Sequence, residues 1–193
     1  MKLIALSQRT DYIKSYNETR DSLDHRLIQF IEECGYLVAL VPNSTIHFQQ
    51  WMSRINPDGI ILSGGNNIGD FNSRDQIEIS LIHYARLHQK PLLGICRGMQ
   101  MLAKMCGTEL IRVKNHVATR HQITGKINKE SNSYHEFSIK ECPLDFHVTS
   151  RASDGIIESI KHKSLPWEAI MWHPEREIKF QTDDKIRIQN LFK

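Results

Sequence analysis

The sequence predicts an α/β protein, a three-layer sandwich with a mainly parallel central sheet and helices on both faces. Three observations carry this reading. Near-continuous apolar runs alternate with amphipathic stretches through the first half, the pattern of strands covered on both faces by crossover helices. The second half breaks into shorter apolar runs separated by turn residues, then closes on one amphipathic stretch. The length, 193 residues, suits a single domain spanning 1–193, with a core that needs no disulfide staples.

Taken in order, KLIALS (Lys2–Ser7) reads as the first strand. Tyr16–Cys34 reads as a helix, with Leu23, Leu27, Ile28, Phe30 and Ile31 at helical spacing. YLVALVP is the second strand, ended by Pro42, and Ser44–Ile55 the second helix with Ser44 as its N-cap. DGIILSGG is a third strand running into Gly64–Gly65, Asp75–His88 a third helix, and KPLLGIC a fourth strand. Arg97–Cys106 follows as a helix, with Gly107 just past its C-terminus. HQITGKI, FSIK, FHVTSRA, GIIESIKH and WEAIMW read as shorter strands, and DDKIRIQNLF as a final helix. Ligands of open α/β sheets bind beyond the carboxyl ends of the strands. Ser7–Arg9, Gly64–Gly65 and Cys96 all fall at such ends, so three segments point at one rim.

Composition narrows the function classes. A charged fraction of 24% and an apolar fraction of 40% are those of an ordinary globular protein. The net charge of +3 is mild and its signs are interspersed, which argues against a nucleic-acid partner. No apolar run approaches the ~18 residues of a membrane span, and the N-terminal apolar stretch is too short for a secretory signal. The expected setting is cytoplasmic, with no membrane partner. Cys34, Cys96, Cys106 and Cys142 are widely spaced and form no C-x-x-C pair, so free thiols are expected rather than a disulfide frame or zinc site. No phosphate loop or metal-ligand cluster is visible, and no cofactor or metal is expected. Trp51, Trp167 and Trp172 read as packing residues.

GICRGMQML (Gly94–Leu102) breaks an apolar strand at a cysteine and resumes as a helix. Gly94, Cys96 and Gly98 spell G-x-C-x-G, the cysteine version of the strand–turn–helix elbow that projects a nucleophile. A helix N-terminus also favours a thiolate, and the N–H of the next residue, Arg97, points where an oxyanion would form. A small buried cysteine satisfies the same position. A nucleophile needs a base, and the base an orienting group. Among ten histidines, His173 stands apart because Pro174 stops its strand and leaves it at the rim, with Glu175 two residues on. The chain thus supplies nucleophile, base and orienter in the order Cys, His, Glu. The Gly64–Gly65 bend offers backbone N–H groups that would complete an oxyanion hole, although a tight turn uses glycines equally.

LSGG at 62–65, GICRGMQML at 94–102, SYH at 133–135 and WHPE at 172–175 resemble, in order and spacing, the class I glutamine amidotransferase-like fold. Within it they are most similar to the γ-glutamyl hydrolase (peptidase C26-like) branch, in which an Arg after the cysteine is typical. The resemblance implies a triad of Cys96, His173 and Glu175 and an oxyanion hole at Gly65 and Arg97. It also implies recognition of the glutamyl part by Gly64, Gln100 and the segment Ser133–Tyr134–His135, largely through backbone groups. The expected substrate is a small γ-glutamyl amide, cleaved through a γ-glutamyl thioester. The chain departs from the pattern at Met171, where many relatives have Gln, and at Glu136, where a second histidine is usual. It is also shorter than most γ-glutamyl hydrolases.

SQRTDYIKSYNETRDSLDHR (residues 7–26) lies outside the triad motifs. It resembles a subgroup associated with surface-polysaccharide and nucleotide-sugar pathways, capsule biosynthesis among them, one activity of which is hydrolysis of a γ-glutamyl nucleotide amidate. Arg9 at the rim suits a phosphate-bearing leaving group, whereas Arg20 and Asp24 read as an ordinary i,i+4 helix pair. The alternative function is the glutaminase component of a two-chain amidotransferase, which delivers ammonia to a synthetase partner. A non-catalytic relative would carry a broken triad.

Overall fold

Four short runs, Leu3–Leu6, Gly59–Leu62, Leu92–Ile95 and Trp167–Ile170, apolar apart from Glu168, form the middle of the sheet in a computed structural model that describes residues 1–193. In chain order the elements are β1 (Leu3–Leu6), β2 (Arg9–Ile13), β3 (Glu18–Ser22), α1 (His25–Glu33), β4 (Leu37–Leu40), α2 (Phe48–Ile55), β5 (Gly59–Leu62), α3 (Asn72–Leu87), β6 (Leu92–Ile95) and α4 (Arg97–Met105). They continue as β7 (Leu110–Arg112), β8 (Val117–Gly125), β9 (Lys129–Tyr134), β10 (Phe137–Ile139), β11 (Phe146–Ala152), β12 (Ile157–His162), β13 (Trp167–Ile170) and α5 (Thr182–Leu191). The main sheet has nine strands in the order β4-β1-β5-β6-β13-β12-β11-β8-β9. β4 through β13 run parallel, and the pairings from β13 to β9 are antiparallel.

Alternation along each strand divides the core in two. Ala5, Ile60, Leu62, Leu92 and Ala169 face one side, against Met52, Leu81 and Leu102 from α2, α3 and α4. Ile4, Leu6, Ile61, Leu93 and Ile170 face the other, against Leu27, Phe30 and Ile31 of α1 and Ile188 of α5. This period of two, with helices on both faces, is the expected three-layer sandwich. Trp167 and Trp172 are buried in these cores. All four cysteines are free, and burial pushes the Cys34 thiol up to about 12. No helix is long and apolar enough to cross a membrane.

The long first helix read from the sequence is half right. Residues 16–22 belong instead to a hairpin, with Arg9 opposite Ser22, Asp11 opposite Arg20 and Ile13 opposite Glu18. The apolar residues at helical spacing all lie from Leu23 onward, and the Asp24 carboxylate caps α1 by accepting from the Arg26 N–H at 2.9 Å. Arg20 therefore sits on a strand and pairs with Glu18 at 2.6 Å, not with Asp24. Ser44 caps nothing, because α2 starts at Phe48. β7 and β9 escape the sequence reading. β9 does so because its buried residues are Ser131, Asn132 and Ser133, polar side chains whose partners lie elsewhere in the chain.

Candidate active site

The turn from β6 to α4 places Cys96 at φ 51°, ψ −105°, a conformation a non-glycine residue rarely adopts. The flanking glycines make the turn possible. A Cβ on Gly94 would lie 2.7 Å from the Gly98 backbone, and one on Gly98 would run into the Leu62 carbonyl on β5. Cys96 occupies the N-cap of α4, where the N–H of Arg97, the first helical residue, precedes the first intrahelical bonds, which Met99 and Gln100 donate to the Cys96 carbonyl at 3.0 and 3.2 Å.

His173 follows β13, and Pro174–Arg176 turn as a single 3₁₀ segment that brings Glu175 back onto it. His173 Nδ1 and Glu175 Oε1 are 2.6 Å apart, and both residues are buried. Burial is the largest single influence on the imidazole and lowers its pKa. Charge and hydrogen bonding from Cys96 and Glu175 outweigh it, so the net pKa is raised to about 9. Asn132 of β9 grips the His173 backbone from both sides, accepting from its N–H at 2.9 Å and donating to its carbonyl at 2.8 Å. The Arg26 guanidinium of α1 donates to the Glu175 carbonyl at 2.9 Å. Tyr134 stands edge-on to the imidazole with ring centroids 5.8 Å apart, and Arg176 lies 4.6 Å over the Tyr134 ring.

The glycine bend after β5 is held from behind by Arg74 of α3. This fully buried guanidinium donates to the carbonyls of Ser63 and Gly64, each at 2.9 Å, and to that of Gly65. In a planar trans peptide the N–H points opposite to the C=O. With the Gly64 carbonyl turned to Arg74, the Gly65 N–H faces away from it, and Gly65 holds φ +83°. Glu78 pairs with Arg74 at 3.2 Å, accepts from the Ser7 hydroxyl at 2.8 Å and also binds the Arg97 side chain, which in turn reaches Asp75. The Arg97 side chain therefore ties the first turn of α4 to α3 and takes no part in the cavity's polar chemistry.

Two adjoining cavities meet at Gly65, His173 and Arg176. One of ≈ 270 Å³ is lined by Cys96, Gln100 and Tyr134 among others, and one of ≈ 280 Å³ by Arg9, Gly64 and Glu175. Gln100 donates its amide to the Phe137 carbonyl at 2.8 Å. Arg9 lies over Gly65 and pairs with Asp11 at 2.9 Å. Cys96, His173, Glu175, Gly64, Gly65, Arg97, Gln100, Tyr134 and Arg9 thus converge on one rim. Two expected residues turn their side chains elsewhere. The Ser133 hydroxyl donates to the His116 carbonyl at 2.7 Å, and the His135 ring is buried against the Phe137 carbonyl at 3.1 Å. Of that segment, only Tyr134 presents a side chain to the cavity. Sequence reasoning missed Asn132, Arg74 and Arg176. Arg74 and Glu78 look like a solvated i,i+4 pair, and Asn132 is a polar residue in a polar strand, so neither carries a local signal.

A cysteine in a sharp, strained turn, a histidine lining the same cavity and a carboxylate on that histidine form a constellation suited to thiol-dependent acyl transfer at an α/β sheet rim. The chain belongs to the class I glutamine amidotransferase family, whose model, "Glutamine amidotransferase class-I", matches residues 17–190. A Campylobacter jejuni relative, γ-glutamyl-CDP-amidate hydrolase, is 32% identical over 182 residues, covering 90% of each chain. A glutamine-hydrolyzing GMP synthase subunit from Thermococcus kodakarensis is 29% identical over 161 residues, covering 78% of this chain and 82% of its own. Among solved structures, a Thermoplasma acidophilum protein assigned as a GMP synthase subunit superposes with a TM-score of 0.75 at 21% identity, covering 100% of this chain and 93% of that one.

Proposed function

We propose that the chain hydrolyses the γ-glutamyl amide bond of a small γ-glutamyl conjugate, with Cys96 as nucleophile, His173 as acid and base, and Glu175 orienting the imidazole. The observation that carries this is a buried Glu175 carboxylate 2.6 Å from the His173 imidazole, which lines one cavity with Cys96. The Cys96 sulfur attacks the γ-carbonyl, and the Gly65 and Arg97 N–H groups receive the developing oxyanion. The C–N bond breaks as His173 protonates the departing amine, leaving a γ-glutamyl thioester. His173 then takes a proton from water, the hydroxide attacks the thioester, and glutamate and the free cysteine are released.

The leaving group in this reading is the amidate of a nucleoside diphosphate. The Campylobacter jejuni relative's name supports it, as do the Arg9 and Arg176 guanidinium groups in the lobe beyond His173. A second reading, a glutaminase component feeding ammonia to a synthetase, is favoured by the relatives from GMP synthases. Wild type, Cys96→Ala and Arg9→Ala, each assayed with glutamine, simple γ-glutamyl amides and a γ-glutamyl phosphoramidate, separate the readings. The hydrolase reading expects turnover of the phosphoramidate that is abolished in Cys96→Ala and falls about tenfold in kcat/KM in Arg9→Ala, as for one lost charge-assisted contact. Turnover surviving in Cys96→Ala sinks the mechanism. Activity confined to glutamine, and rising sharply with an added synthetase, moves the assignment to the second reading.

A further inference from the structure

Away from the cysteine rim, three histidines converge on one buried carboxylate. His116 precedes β8, His121 lies within β8, His135 follows β9 and Glu158 sits on β12. His116, His135 and Glu158 are buried, and their donor atoms lie within 4.8 Å of one another. His116 Nδ1, His121 Nε2 and His135 Nε2 each stand 3.4 Å from Glu158 Oε1. None of these three nitrogens, and neither Glu158 oxygen, makes a hydrogen bond. Buried polar groups are nearly always partnered, so five orphaned atoms facing one point mark a position where something is bound.

We propose that His116, His135 and Glu158 hold a divalent metal ion of the zinc class, with His121 at the edge of the site. The separation supports this directly. An N–H···O hydrogen bond spans about 2.7–3.2 Å, whereas two ligand atoms on a tetrahedral zinc, each about 2.1 Å from the ion, stand about 3.4 Å apart. The outer ring nitrogens support it again. His116 Nε2 is 2.9 Å from an Asp154 carboxylate oxygen, and His135 Nδ1 is 3.1 Å from the Phe137 carbonyl. A carbonyl and a carboxylate accept only, so these outer nitrogens carry the protons. With the outer protons placed there, deprotonation of the inner nitrogens by metal binding aims lone pairs inward, as the outer hydrogen bonds of metal-ligating histidines arrange. Two imidazoles and one carboxylate, with a third imidazole beside them, form a donor set suited to zinc, and the burial of all three keeps substrate out.

The site explains how a polar hairpin is held. It joins β8 and the end of β9 to β12, and β9 is the strand that brings Asn132 and Tyr134 to His173. No local motif announces it, because its residues are dispersed between 116 and 158.

The test uses the full chain produced without a metal-affinity tag. Elemental analysis is expected to find about one zinc-class ion per chain, and chelator-stripped protein to take up about one cobalt ion with the visible absorption of a tetrahedral site. His135→Gln is expected to lose that band. Asp154→Asn alters a half-exposed outer partner and so leaves folding undisturbed, and it is expected to weaken cobalt binding about tenfold or more. Folded wild-type protein that carries no metal and takes up no cobalt overturns the proposal. That is the result for a buried hub of protonated histidines, and cobalt affinity unchanged in Asp154→Asn overturns the proposal too, by placing the bound ion away from His116.

Discussion

Asn132 and His173 are joined by two hydrogen bonds to the backbone of one residue, N–H to Oδ1 at 2.9 Å and Nδ2–H to carbonyl at 2.8 Å. The same amide nitrogen also donates to Glu177 at 2.7 Å. A side chain on an outer strand thereby sets where the imidazole stands, without touching the cavity's reacting atoms. Asn132→Ala removes both bonds. Stability should fall by about 1–3 kcal/mol, the cost of leaving buried polar groups unpaired. Turnover should fall as much as about a hundredfold for a misplaced base, with KM nearly constant. A kcat within twofold of wild type, measured on the γ-glutamyl amide that wild type turns over, would show that His173 is held by other means.

Arg74 acts on the opposite wall. Its guanidinium collects three successive carbonyls of residues 63–65, which turns the Gly65 N–H away from it, and burial lowers its pKa to about 10 while Glu78 opposes that shift. Arg74→Met should cost about 3–5 kcal/mol by removing one of the two guanidinium partners of the buried Glu78 and leaving three carbonyls without their donor. Arg74→Lys keeps the charge but not the fork, so it should retain the fold while kcat drops by up to about 10²–10³, the range for one lost oxyanion donor. If Arg74→Lys turned over at the wild-type rate, Gly65 would be excluded as a donor.

The histidine makes a prediction about pH. The His173 pKa rises from 6.5 to about 9 on folding, because Cys96 and Glu175 outweigh the opposing effect of burial. A pKa raised in the folded state stabilises fully below the unfolded value, and that contribution is lost as pH rises through the folded value. The window therefore runs from about 6.5 to about 9. Protonation of the leaving amine requires the same proton, so kcat/KM should decline on an alkaline limb near pH 9. In Glu175→Gln both the limb and the stability loss should move to lower pH, as seen in paired rate and melting profiles. An alkaline limb unmoved by Glu175→Gln would detach it from His173.

Backbone strain at Cys96 makes the last prediction. Sparsely populated conformations such as φ 51°, ψ −105° cost about 1–3 kcal/mol for a residue with a Cβ, and glycine escapes most of that cost. Both Cys96→Ala and Cys96→Gly should be inactive, with Cys96→Gly the more stable by about 1 kcal/mol in denaturant titrations. Equal stability would mean that the elbow stores no strain at this residue.

The sequence by itself determined the parallel core and the cysteine elbow. Both rest on interactions between near neighbours. Apolar runs such as LIAL and GIIL must be covered on both faces, and Gly94 and Gly98 are dictated by a turn that spans only a few residues. His173 and Glu175 were legible for the same reason, since one turn brings them together. Tertiary structure decided the rest. Asn132 reaches His173 across 41 residues of sequence, and Arg74 becomes a buried brace only because the loop after β5 folds over it. The His116–His135–Glu158 group exists only once β8, β9 and β12 are assembled in one sheet. Polar side chains carry no periodicity that marks them as buried, so their partners are named by the packing of distant strands and not by spacing along the chain.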